Sequence, residues 1–186
     1  MLTTTDAIVL SLQPHSDKAH VLHAYTRAGG RINYMVYGLG RKNAAGKYSP
    51  LSIVQLTTDD RSIRTAQLTY VPLRLTADPY KRTIALFISE VLYHVLRHPM
   101  SDEPMFDFIA QSVEELDKTD APQNFHLSFL VGLAAKLGFA MENEPALPTS
   151  RAERQKQLRT LCAYFEEHVE TWQNPKSLDI LMEVFD

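Results

Sequence analysis

Between Asp6 and Pro72 hydrophobic and polar positions alternate in short runs rich in β-branched and aromatic residues, with turn formers at regular spacing. A period of two with that composition predicts half-buried strands in an antiparallel meander or small barrel. Five segments carry it, at 7–13, 20–27, 31–37, 51–57 and 63–73. Ala28-Gly29-Gly30 closes the second onto the third as a Gly-containing hairpin, and Asp59-Asp60 separates the last two. Five short strands in about 70 residues suit a partly open oligonucleotide-binding (OB) barrel, although an unclosed sheet would show the same pattern. Alternation also assigns faces: Tyr34 shares a side with Ile32 and Val36 and is expected inside, whereas Tyr37 lies with Met35 and Asn33 and is expected outside.

At Asp78 the period lengthens to 3.6. Asp78 suits a helix cap and Pro79 the first helical position, and Ile84, Phe87, Ile88, Val91, Leu92 and Val95 form one stripe that ends near His98-Pro99. A second helix is expected from Ser101 with Met105, Ile109, Val113 and Leu116 inward, and a third from Pro122 to the stop at Gly138. After a polar link at 142–149, Ser150-Arg151-Ala152-Glu153 is a capping box opening a fourth, and a short helix from Ser177 ends the chain. The expected fold class is α+β: a five-stranded OB-type β-barrel over 1–77, followed by an all-α helical domain over 78–186.

Composition narrows the class. A chain of 186 residues with 45% hydrophobic and 22% charged positions can bury a core without staples, and the lone Cys162 excludes an intramolecular disulfide. The N-terminus lacks a basic start, and no apolar run approaches the roughly 18 residues of a membrane span, so a cytoplasmic chain that is neither exported nor membrane-embedded is expected. The formal net charge of −3 hides a division. Residues 1–82 carry eleven Lys/Arg against five Asp/Glu, and residues 83–186 carry eight against seventeen. Clustered cations attract polyanions through counterion release, so the first half is the one expected to meet nucleic acid.

The glycine-rich, basic segment 38–48 invites comparison with a phosphate-binding P-loop. It fails, because five residues separate Gly40 from Gly46 and Tyr48 stands where a Ser or Thr would hold magnesium. Arg41, Lys42 and Lys47 can instead follow a nucleic-acid backbone, the plain alternative being a solvated hairpin loop. Tyr25, Tyr34, Tyr37 and Tyr48 are interleaved with Arg27, Arg31, Arg41 and Lys47, a mixture suited to stacking bases while pairing phosphates. Neither His94 with His98 nor His20 with His23 is completed by nearby ligands, so no metal and no cofactor are expected. The carboxylates at 114–117 and 166–170 flank amphipathic stripes as solvated faces, and no nucleophile–base or paired-carboxylate arrangement is evident, so no catalytic residue is assigned.

Two stretches together resemble the start of the RecO family of bacterial recombination-mediator and DNA-repair proteins. One is Asp6-Ala7-Ile8-Val9-Leu10, then Pro14-His15-Ser16-Asp17-Lys18, then Tyr25-Thr26-Arg27 before a glycine turn; the other is Tyr37-Gly38-Leu39-Gly40-Arg41-Lys42 followed by Gly46-Lys47-Tyr48-Ser49-Pro50-Leu51-Ser52. Asp78-Pro79-Tyr80 and Leu137-Gly138-Phe139 extend the likeness over about three quarters of the chain. The resemblance implies an OB barrel joined to a helical domain with no catalytic centre. It further implies binding of single- and double-stranded DNA, annealing of complementary strands, and help in loading RecA in partnership with RecR and the C-terminal tail of the single-stranded-DNA-binding protein. Arg41, Lys42 and Lys47 match the family's basic DNA-facing segment, and Arg27 and Arg31 flank its hairpin turn. Electrostatics adds Arg61, Arg64 and Arg74, and Tyr37 and Tyr48 are added as stacking rings among the cations. For an acidic protein tail the candidates are Lys136, Arg151, Arg154, Lys156 and Arg159. Many family members carry a longer insertion after the Gly-Phe helix end, some with zinc-binding cysteines, where this chain has only the 142–149 link, so zinc is not implied. Two other classes remain open: a protein-interaction adaptor whose barrel binds peptide, and a metal- or carboxylate-dependent hydrolase.

Overall fold

Alternation becomes five strands: β1 (Leu2–Ser16), β2 (Ala19–Thr26), β3 (Gly30–Tyr37), β4 (Ile53–Asp59) and β5 (Ser62–Leu68). The computed structural model describes residues 1–39 and 46–184. The strands close in the order β1-β2-β3-β5-β4, with β1 also pairing β4, which is an OB-type barrel. All neighbours are antiparallel except β3 and β5, which meet in parallel register only at Met35 and Ser62. Ala7, Val9, Leu22, Ala24, Tyr34 and Leu56 are among the side chains filling the interior. Tyr34 is 5% exposed and Tyr37 60%, as the even and odd positions of β3 require. β1 also begins five residues earlier than the alternation indicated, because Leu2 to Asp6 pair with β4 although their side chains are largely exposed.

Residues 7–10 are buried on both faces. Ala7 and Val9 face the barrel interior, and on the outer surface Tyr25, opposite Ile8 on β2, stacks on Phe106 with ring centroids 6.5 Å apart. That outward apolar surface explains a division the helical pattern alone does not contain. The chain forms two compact units, one comprising Met1–Leu73 with Leu96–Val113 and the other Arg74–Val95 with Glu114–Asp186.

The helices are α1 (Leu73–Ala77), α2 (Pro79–Val95), α3 (Glu103–Lys118), α4 (Phe125–Lys136), α5 (Arg151–His168) and α6 (Leu178–Val184). Asp78 caps α2, its Oδ1 accepting from Tyr80 N at 2.8 Å, and Asp102 caps α3 by accepting from Met105 N at 2.9 Å. At the end of α4, Gly138 adopts φ 91°, and Phe139 N returns to Ala134 O at 3.0 Å. The capping box of α5 is formed in full, with Ser150 and Glu153 bonding reciprocally. Among the described residues no helix is long and apolar enough to cross a membrane.

Candidate nucleic-acid interface

Because β3 alternates, Arg31, Asn33, Met35 and Tyr37 share its outward face, a row about 20 Å long at strand rise. At the first end of the row, the Arg31 guanidinium donates through Nη1 to Leu96 O at 3.1 Å, and its Nη2 lies 3.3 Å from His23 Nδ1. His23, directly across the ladder from Asn33, lies 2.7 Å from its side-chain oxygen. Burial holds the His23 pKa below the ordinary imidazole value; the Asn33 bond opposes that shift and the Arg31 charge reinforces it. His23 is therefore neutral near pH 7, and its Nδ1 serves one neighbour at a time, donating to Asn33 Oδ1 or accepting from Arg31 Nη2.

The chain leaving α2 crosses this end of β3, where Arg31 N donates to His98 O at 3.1 Å and Ser101 Oγ to Arg27 O at 2.9 Å. The crossing brings Arg97 and Pro99 beside Arg31. Arg61 arrives from the β4–β5 turn, which Asp60 makes at φ 54° and which Met35 N pins by donating to Arg61 O at 2.7 Å. Arg31, Asn33, Arg61, Arg97 and Pro99 line one depression. Three of its five lining residues are arginines and none is acidic.

At the other end, Tyr37, Gly38 and Leu39 line two further depressions. One also takes Asp17, Lys18 and His20. The second follows the opening left where β3 and β5 diverge beyond their single bridge, and is edged by Lys47, Ile63, Arg64 and Thr65. Lys47 Nζ donates to Ala66 O at 3.1 Å, which holds the ammonium at the edge of that opening.

The remaining sequence candidates fall elsewhere. Tyr48 is 4% exposed and belongs to the barrel interior, where burial raises its phenol pKa, so it is withdrawn as a surface stacking ring. Arg27 is 2.7 Å from Asp107 and sits 4.3 Å over the Phe106 ring, and its charge is spent within the unit. Arg74 lies in the helical unit, where it donates to Lys118 O at 2.8 Å and pairs with Asp120. Arg64 pairs with Asp59 at 3.0 Å, an exposed contact that a phosphate can replace. Arg41 and Lys42 lie outside the described residues. Arg97 was missed because it sits in the acidic half; its only signal was being a lone cation at a helix end.

In the helical unit the tail-binding candidates separate. Arg151 donates to Met182 O at 3.4 Å and Glu183 O at 3.5 Å, and Arg154 to Asn124 Oδ1 at 3.1 Å, so both dock elements of their own unit. Lys136, Lys156 and Arg159 are exposed. Beneath Arg154, burial holds the His126 pKa down at about 3, with the Arg154 charge adding to it.

Comparison with known proteins gives two family matches: recombination protein O N terminal over residues 1–70 and recombination protein O C terminal over residues 76–144. The DNA repair protein RecO of Porphyromonas gingivalis is 27% identical over 245 aligned positions covering all of both chains, so the alignment contains positions with no counterpart in this shorter chain. That of Phocaeicola vulgatus is 33% identical over 154 positions, covering 77% of this chain and 64% of its own. That of Christiangramia forsetii is 26% identical over 238 positions, covering all of both.

Proposed function

The chain belongs to the RecO family, with a role in DNA repair and recombination, and from that premise we propose that it is a non-enzymatic mediator whose barrel unit binds single- and double-stranded DNA. It anneals complementary strands and helps load RecA on DNA coated with single-stranded-DNA-binding protein, acting with RecR in the cytoplasm. The observation that carries this reading is the depression shared by Arg31, Arg61 and Arg97 at one end of a row whose other end is the exposed Tyr37 ring. Guanidinium forks suit phosphate oxygens, and an exposed ring offers a base a stacking surface. The acidic tail of the single-stranded-DNA-binding protein is assigned to the helical unit, where Lys136, Lys156 and Arg159 supply its countercharge. Arg41 and Lys42 are kept as DNA-contact candidates on the sequence alone.

A salt titration of oligonucleotide binding tests the reading. If about five phosphates are neutralised, the log–log slope is about −3.5 for a single strand and −4.5 for duplex. Absence of binding at low salt would refute it and favour the peptide-binding adaptor.

A further inference from the structure

The exposed Tyr37 ring borders a depression of its own at the far end of β3 from the arginines. Tyr37 pairs in register with Ala19 across the β2–β3 ladder, and Ala19 pairs with Ser16 as the last rung of the β1–β2 hairpin. Asp17 and Lys18 are therefore a two-residue turn set beside the ring. Gly38 N lies 3.5 Å from Lys18 O, which brings the chain leaving β3 against that turn. Asp17, Lys18, His20, Tyr37, Gly38 and Leu39 line a space of about 480 Å³. Sites that enclose one small ligand measure roughly 300–1,000 Å³, so this one has room for a single nucleoside and not for a duplex.

The lining sets what that nucleoside must offer. One side is an aromatic ring that is 60% exposed, against which a flat base can stack. The rim carries the exposed Asp17 carboxylate and the exposed Lys18 ammonium, and among the described residues no salt bridge engages either. An ionised Asp only accepts hydrogen bonds and a Lys only donates them, so a base edge that satisfies both must show donors beside an acceptor. Guanine does so best. Its N1–H and 2-amino N–H are parallel donors that match the two oxygens of a carboxylate, and the adjacent O6 accepts from an ammonium. Adenine and cytosine each offer one amino donor beside a ring nitrogen that a carboxylate repels, and thymine offers one imide N–H. Inside a duplex the pairing edge is occupied and both base faces are stacked, so only an unpaired base can enter.

We infer that the depression beside Tyr37 seats one unpaired guanine of a DNA strand, stacked on the Tyr37 ring with its pairing edge toward Asp17 and Lys18. This rests on the DNA-binding reading and adds to it a base preference confined to single strands.

The experiment measures, by fluorescence anisotropy at fixed salt, the binding of oligothymidylates of about eight nucleotides that carry one central guanine, adenine, cytosine or hypoxanthine, together with a duplex of the same length. Wild type is compared with Asp17→Asn and Tyr37→Ala. Asn suits a turn as Asp does and Tyr37 is on the surface, so both variants should keep the wild-type far-UV spectrum and melting curve. Wild type is expected to bind the guanine strand about fivefold more tightly than the adenine and cytosine strands, with hypoxanthine, which lacks the 2-amino group, between them. Asp17→Asn should bring the four strands within about twofold of one another, a comparison made within one protein so that the lost charge cancels. Tyr37→Ala should weaken every single strand about tenfold and leave the duplex unchanged. Equal binding of the four strands by wild type would overturn the inference while leaving DNA binding intact. So would a guanine advantage that survives Asp17→Asn, or an equal loss of duplex and single-strand binding in Tyr37→Ala. If neither the strands nor the duplex bind at low salt, the underlying functional reading fails instead.

Discussion

Replacing Gly30 by Ala should lower stability by more than positive φ alone explains, and Gly38→Ala supplies the control that separates the causes. Both glycines have positive φ, 64° and 73°, where an L side chain costs about 1–2 kcal/mol. At Gly38 nothing among the described residues lies within 4 Å of the added Cβ, so only that cost is expected there. At Gly30 the Cβ would meet Met100 O at 2.2 Å and Met100 N and His98 O at 2.7 Å. These are backbone atoms and cannot rotate away, so the 98–100 segment must move by more than an ångström to reach ordinary contact. That movement breaks the 3.1 Å bond from Arg31 N to His98 O, worth about 1 kcal/mol, and loosens packing around it. The total for Gly30→Ala is about 2–4 kcal/mol, some 1–2 kcal/mol beyond Gly38→Ala. For a chain of this size that predicts a melting temperature about 2–8 °C below that of the control. Thermal denaturation followed by circular dichroism measures it. Coincident melting curves for the two variants would refute that close approach.

Arg27→Ala should leave the salt slope of DNA binding unchanged, since that guanidinium is engaged by Asp107 and the Phe106 ring, whereas Arg61→Ala should flatten it by about 0.7 for single strands; a flatter slope in Arg27→Ala would return that residue to the interface. Burial holds the folded His126 pKa down at about 3, against the ordinary imidazole value of 6.5. A lowered folded pKa means that the unfolded chain takes up the proton first. Stability is thus unaffected above pH 6.5 and falls by about 1.4 kcal/mol per unit as pH drops from there toward 3. His126→Leu should remove that part of the acid dependence in urea titrations at pH 6 and 4, and identical slopes for the two proteins would disprove it. Burial pushes the Cys162 thiol up to about 12, so iodoacetamide at pH 8 should leave the folded protein unmodified and add one carbamidomethyl group after denaturation, as read by mass spectrometry. Rapid labelling of the native chain would show that Cys162 is accessible.

Short-range periodicity determined much of this protein. A strand must send successive side chains to opposite sides, so Tyr34 inward and Tyr37 outward were legible from Ile32 and Val36 alone. The α2 stripe, its Asp78-Pro79 start and the Ser150–Glu153 capping box were legible for the same reason, since each depends on neighbours within a turn or two. Closure of the barrel was not, because the single Met35–Ser62 bridge joins strands with β4 between them in the sequence. Charge was legible as a sum but not as a site. Whether an arginine is available to a phosphate depends on what folding places beside it, and the carboxylates that occupy Arg27 and Arg74 come from distant segments. The same holds for Tyr48, which a loop tyrosine's position could not place inside the barrel, and for Arg97. That residue belongs to the acidic half by sequence, yet joins the barrel unit because an apolar outer surface around Tyr25 is covered by Phe106 and the chain leading to it. Local pattern fixes which face a side chain takes; only the packed chain decides which charges share that face.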